Sequence, residues 1–329
     1  MGLRYRKQLT TAISEDSSEK LDELAEEEGK PKGRVLDDAI KHLYNSSKKE
    51  DAKMEHNCRV ITIATNKGGA GKTTSAAAIA DILSRREKRV LLIDGDPQGN
   101  LSKRFGYPPN MLPENYLGAL ILDRMKKTDA APHEISYYIN QCPGFPRIDI
   151  IVSDLRLDGD YSVMNAENVR GTIVFRKIIN EVRTMDQYDY VIIDTRPSLA
   201  NEVGAIFVAS DYIMIPVEPT EDAIFGADAT IQFAGACRDM NPKLSVLGIF
   251  MTKVYDRNKS FREAAPVIRE SWEEDVFKTL IPRSQDADNA GNEGKPVTAM
   301  FSNKKLSKRY EQLVDEAIER IEKGVTLDA

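Results

Sequence analysis

One stretch limits the folds open to this chain more than any other: Asn66-Lys67-Gly68-Gly69-Ala70-Gly71-Lys72-Thr73-Thr74. It follows an apolar β-branched run, Val60-Ile61-Thr62-Ile63-Ala64, and leads into Ser75-Ala76-Ala77-Ala78-Ile79-Ala80, a good helix former. Strand, glycine loop and helix in that order are the context a phosphate-binding loop requires. Glycines let the backbone curl until successive N–H groups point inward at phosphate oxygens, and the helix N-terminus adds about half a positive charge. In such a loop Lys72 reaches the β- and γ-phosphates and the Thr73 hydroxyl ligates Mg²⁺.

The general spacing G-x-x-x-x-G-K-[ST] is not strictly met, because Asn66 stands where the first glycine belongs and Lys67 precedes the glycine pair. The form K-G-G-x-G-K-T-T resembles the deviant Walker A box of the ParA/MinD family of P-loop ATPases. The resemblance implies that Lys67, Gly68, Gly69, Ala70, Gly71, Lys72, Thr73 and Thr74 hold ATP. It also implies that Lys67 is catalytic, reaching across a homodimer to the partner's nucleotide.

Two further boxes follow in the family's order. Arg89-Val90-Leu91-Leu92-Ile93-Asp94 reads as a buried parallel strand and runs into Asp94-Gly95-Asp96-Pro97-Gln98-Gly99-Asn100. Two carboxylates at the end of such a strand stand where ligands bind in open α/β sheets. The resemblance implies that Asp96 orients the attacking water and that Asp94 lies closer to the metal. Tyr188–Asp194 is another apolar strand ending in a carboxylate, a Walker B arrangement in which Asp194 serves Mg²⁺. The family usually continues D-x-P-P; here Asp194-Thr195-Arg196-Pro197-Ser198 puts Arg196 at the first proline, which alters the loop's geometry but not the carboxylate. Ile281-Pro282-Arg283 is similar to the family's segment bordering the adenine, which adds Pro282 and Arg283 to the ATP contacts.

Between these boxes, Tyr116–Leu120 is a helix candidate, and Ile148–Val152, Tyr212–Val217, Leu244–Met251 and Thr279–Arg283 are strand candidates. A final amphipathic helix spans Leu306 to Ile321. The alternation predicts an α/β fold, a mostly parallel sheet with helices on both faces, over residues 58–329.

Residues 1–45 form a separate unit. Leu9, Thr11 and Ile13 alternate with Gln8, Thr10 and Ala12 as in a half-buried strand. A helix from about Asp16 carries Leu21, Leu24 and Ala25, with Gly29 as its stop, and a second runs from about Lys32 to Tyr44. So small a unit cannot bury this apolar surface alone. Its order resembles the ribbon-helix-helix DNA-binding family. That resemblance implies a dimeric ribbon in the major groove, with Gln8 and Thr10 at base edges, Arg6 and Lys7 on phosphates, and a phosphate held near Lys32 and Arg34. Residues 46–57 are polar and aperiodic, a linker.

The net charge of −6 means that nucleic acid must be bound by local patches. Lys253, Arg257, Lys259, Arg262 and Arg269 form one, and Lys304, Lys305, Lys308 and Arg309 another. The three scattered cysteines, Cys58, Cys142 and Cys237, indicate neither a disulfide framework nor a metal site and suit a reducing cytosol. They also fit poorly with an iron–sulfur reductase of related fold. No apolar run of membrane length is present.

The expectation is therefore a cytoplasmic, nucleoid-associated ATPase that uses ATP and Mg²⁺ to partition a plasmid or chromosome. Its partners would be non-specific DNA, a centromere-binding protein and a second copy of itself. A MinD-like positioning ATPase is an alternative, although the end Lys323–Ala329 offers no basic, apolar membrane helix. A nucleotide-regulated transcriptional repressor is another.

Overall fold

The computed structural model describes residues 58–327, apart from 109–112, 127–130, 168, 221–222 and 256–258, together with 23, 25, 29–32 and 35 near the N-terminus. The expected N-terminal strand and most of its two helices lie outside the described residues, as do Arg6, Gln8, Thr10, Arg34 and Arg257. Where the N-terminal unit is described, Gly29 adopts a left-handed φ of 63°, and the Lys30 amide donates to the Ala25 carbonyl at 3.1 Å. That bond is the 6→1 closure of a Schellman helix end. Exposed Lys32 follows at the start of the next helical segment. The chain divides between His56 and Asn57.

In the second unit eight strands form one sheet in the order β3-β4-β2-β5-β1-β6-β7-β8. They are β1 (Arg59–Ile63), β2 (Val90–Gly95), β3 (Asn140–Gln141), β4 (Ile148–Ile151), β5 (Tyr190–Thr195), β6 (Tyr212–Val217), β7 (Ser245–Val254) and β8 (Val276–Pro282). All neighbours pair in parallel except β3 with β4. Every residue of β2 and β5 is buried, which is why these strands read as unbroken apolar runs rather than alternating ones.

Helices cover both faces. On one side Leu92, Ile150, Ile192 and Met214 pack on α1 (Lys72–Arg85) and on the last helix, α11 (Lys305–Lys323), through Leu306, Tyr310, Leu313, Val314, Ala317 and Ile321. On the other side Leu91, Ile93, Val191 and Ile193 meet Leu117, Leu120, Tyr161, Phe175 and Ile206. Successive strand residues thus serve opposite cores. The run Ala76-Ala77-Ala78 in α1 is fully buried, because small side chains let this helix sit close between the sheet and α11.

The strand order turns at β1. The chain goes from β1 to β2 on one side and later from β6 to β8 on the other, so a crevice opens at the carboxyl ends of β1, β2 and β5.

One buried cation ties the far edge together. Arg320, 8% exposed, donates to the carbonyls of Leu247 (3.1 Å), Asp275 (3.3 Å), Glu274 (2.7 Å) and Val276 (3.1 Å), and its guanidinium lies 4.3 Å from the centre of the Phe277 ring. The room comes from Gly248, whose φ is 139° and where a Cβ would stand 2.4 Å from the Asp275 carbonyl oxygen. Arg320→Ala leaves buried carbonyls short of a donor. We expect a loss of about 3 kcal/mol, or a midpoint roughly 6–12 °C lower, by thermal unfolding. A change under about 2 °C would show that water replaces the guanidinium without cost.

Candidate nucleotide site

The crevice holds a cavity of about 600 Å³. Helix α1 begins at its wall. The capping residue is Gly71, with φ 88°, and no side chain caps the helix. The first intrahelical bond comes from the Ser75 amide to the Gly71 carbonyl at 2.9 Å, which leaves the N–H groups of Lys72, Thr73 and Thr74 outside the helix ladder. Unspent donors at the positive end of a helix make an anion site. The loop is held from below by Thr252, whose Oγ1 donates to the Ala70 carbonyl at 2.8 Å and lies 3.3 Å from that of Val217.

Lys72, Thr73, Thr74, Gly69 and Gly71 all line the cavity, as do Asp96, Pro197, Ile281, Pro282 and Arg283. Residues of all three nucleotide boxes, the last through Pro197, therefore share one cavity with the base-bordering segment. Lys67, Gly68 and Ala70 do not line it. Ala70 is buried beneath the loop, and the Lys67 Nζ donates to Thr220 Oγ1 at 3.0 Å.

Asp194 sits in register beside Asp94 on neighbouring strands. Burial, and then the adjacent Asp94, push the Asp194 carboxyl up to about 8, with Thr73 and Lys72 pulling it back. Neither of its oxygens has a hydrogen-bond partner within ordinary geometry. A fully buried carboxyl at the foot of a phosphate loop, its oxygens without a hydrogen-bond partner, fits a cation that would hold it ionised, and Mg²⁺ takes oxygen ligands. The residues therefore fit ATP with Mg²⁺: Lys72, Thr73 and the loop amides would take the phosphates, and Thr73 and Asp194 would serve the metal or its waters. The metal, when bound, spreads the charge that develops on the phosphate oxygens.

Asp94 is held by partners of its own. Its Oδ2 accepts from both the amide and the hydroxyl of Ser102 at 2.7 Å, its Oδ1 accepts from the Asp96 amide at 3.3 Å, and it does not line the cavity. Burial pushes it up to about 6. These bonds fasten the turn into α2 (Asn100–Arg104), so Asp94 braces the turn, while Asp194 beside it has no such partners. Asp96 is half-buried and faces the cavity. Its Oδ1 accepts only from the nearby Gln98 amide at 3.0 Å, which leaves capacity for a water.

Lys253 also lies elsewhere than the DNA patch in which the sequence places it. It takes a left-handed φ of 52°, lines the nucleotide cavity beside Gly69, and is 3.7 Å from Glu218. Lys259, 87% exposed, pairs with Glu263 at 3.6 Å, and Arg262 is exposed. Arg196 is clamped to Asp158 at 2.8 Å and reaches Glu202 at 3.6 Å, so the loop after Asp194 is held by an ion pair where the family uses a proline.

Sequence reasoning passed over Arg104, Thr252, Asp288 and Tyr310, which also belong to this site. A threonine closing an apolar strand was the only hint among them.

A parallel sheet, a phosphate loop at its switch point and an orphaned carboxylate define a P-loop nucleoside triphosphatase. Residues 58–246 match the family described as an AAA domain. The chain is 31% identical over 264 residues to the chromosome partitioning protein ParA of Caulobacter vibrioides, covering 80% of this chain and 94% of that protein. Among solved structures it resembles the ATP complex of a Cyanothece McdA variant, at 24% identity, with a TM-score of 0.68 and coverage of 80% and 97%. It also resembles cobyrinic acid a,c-diamide synthase of Mycobacterium smegmatis with an ATP analogue and magnesium, at 23% identity, with a TM-score of 0.67 and coverage of 83% and 99%. The chain belongs to the ParA-type P-loop ATPases, and it is an ATPase whose site fits ATP with Mg²⁺.

Proposed function

We propose that this ATPase partitions DNA, with ATP closing a sandwich dimer that binds DNA without regard to sequence and hydrolysis reopening it. The observation that carries this reading is the position of Lys67. It belongs to the phosphate loop in sequence, yet it stands outside its own cavity on Thr220. A lysine in the box that does not reach its own nucleotide is free to reach a partner's. The Caulobacter relative's role in chromosome partitioning supports the same reading.

The DNA surface we assign is a second cleft of about 490 Å³, beside the nucleotide cavity and walled by Arg283, Lys304, Lys305 and Arg309, with Asp286 its one carboxylate. Four cations held together suit phosphates, and two copies in a dimer double the field. Residues 1–45 add a ribbon-helix-helix module on the linker 46–57, reading a specific site through Gln8 and Thr10. A protein bound to the centromere stimulates turnover, and the complex works on the nucleoid in the cytoplasm. Positioning on a membrane is less favoured. Among the described residues no helix is long and apolar enough to cross a membrane, and α11 turns its apolar face inward against α1 and the sheet.

Sedimentation tests the proposal. With Mg·ATP and random-sequence DNA, the wild type forms dimers on DNA, and binding falls steeply with salt, by roughly 0.9 log unit per phosphate neutralised. Lys67→Ala keeps its ATP affinity, stays monomeric and does not bind. Normal ATP-dependent dimers of Lys67→Ala would remove the lysine from the interface and the reading with it.

A further inference from the structure

We infer that Arg104 is a ligand for the α-phosphate of the bound nucleotide, a binding cation that the motifs of the chain do not mark. It lies at the end of α2, just beyond the turn that Asp94 fastens, and it lines the nucleotide cavity. Its Nη2 donates to Thr74 Oγ1 at 3.3 Å and its Nη1 to the Lys295 carbonyl at 3.1 Å. No carboxylate among the described residues pairs with it. Burial draws its guanidinium below its ordinary value, with Tyr310 and Asp194 pulling it back. A guanidinium carries five donors, and two are used here; the rest form a planar fork that matches a phosphate.

Position selects the phosphate. Arg104 shares the cavity with Lys72, Asp96 and Pro197 and with Ile281, Pro282 and Arg283. Its two hydrogen bonds tie the first turn of α1, at Thr74, to the Lys295 carbonyl. Thr74 lies one residue further along α1 than the metal-serving Thr73, and Lys295 stands after the helix Gln285–Asn292 that follows the base-bordering segment. At Gly291 in that helix a Cβ would come within 3.2 Å of Nη2, so the glycine leaves the guanidinium its space. A nucleotide with its γ-phosphate at Lys72 and its base at Pro282 passes Arg104 with its α-phosphate, a group that ATP and ADP share.

The inference rests on the phosphate loop holding ATP, and the test separates the two. Titration calorimetry of the full chain is carried out with Mg·ATPγS, Mg·ADP and the two diastereomers of ADP bearing sulfur on the α-phosphate. In Arg104→Ala, affinity for ATPγS and ADP falls by the same factor, about 10- to 100-fold, and the wild type's preference between the sulfur diastereomers disappears. Arg104→Gln keeps a donor for Thr74 or Lys295 but no charge; it guards against misfolding of the alanine variant and shows the same loss. Arg104→Lys recovers part of the affinity without the stereochemical preference, because an ammonium is not a fork. Wild-type ADP affinity in a folded Arg104→Gln overturns the inference and leaves Arg104 as a strut between Thr74 and Lys295. So does a loss confined to ATPγS, which would place the cation at the γ-phosphate. Wild-type affinity in Lys72→Ala, measured alongside, would instead sink the loop reading itself.

Discussion

Lys72→Ala lowers the affinity for Mg·ATP by at least about 100-fold, and for Mg·ADP by a similar factor. The ammonium is 6% exposed, and its strongest neighbour in the chain is the Lys67 carbonyl at 3.4 Å, a long contact. Burial lowers its hold on the proton, while Asp194 and Asp96 raise it. A charge kept at that cost with so poor a partner is built for an anion that arrives later. Two charge-assisted hydrogen bonds of about 1.5–3 kcal/mol each set the scale of the loss. The fold itself should be spared, since Lys72 adds little packing beyond the first turn of α1. Titration calorimetry measures the affinity and circular dichroism the fold; unchanged affinity with an intact fold would mean that the anion sits elsewhere.

Asp96→Ala separates binding from turnover. It should retain ATP affinity, or gain slightly, because a carboxylate beside the phosphates is repulsive. Its kcat should fall by about 10²–10⁴-fold, because the group that holds and orients the attacking water is gone. The structural cost is one hydrogen bond from the Gln98 amide, about 1 kcal/mol. Asp96→Asn distinguishes the roles: it holds a water but accepts no proton, so it recovers orientation alone. Single-turnover hydrolysis with saturating ATP reads both. Turnover of Asp96→Ala within threefold of wild type would remove Asp96 from the chemistry.

The strands around the site were legible because each carries its own signal. β2 and β5 are buried on both faces and end in carboxylates, and β1 runs straight into the glycine loop. β8 begins three residues before its expected start, since exposed Lys278 interrupts the apolar run. β3 is a two-residue polar edge, Asn140–Gln141, that no pattern announces. The site was legible where backbone and side chain share one motif. It was not where tertiary structure chooses a partner. Whether Asp94 faces a metal or Ser102 depends on how α2 folds back. Lys253 reads as one cation in a basic cluster until the left-handed turn at the end of β7 carries it to Gly69. Arg104 is invisible because an arginine closing a short helix usually meets only solvent.

The packing of α11 against α1 has a consequence for how the chain is made. Helix α1 follows the phosphate loop directly, yet Leu306, Tyr310, Leu313 and Val314, which help to cover it, are translated much later. Lys305 comes roughly 220 residues after Arg85, a delay of about 11–44 s at ordinary elongation rates. Through that interval the growing polypeptide carries a complete phosphate-binding motif on an alanine-rich helix with one flank bare. The loop and its helix are therefore complete before the side chains that cover that flank have been made.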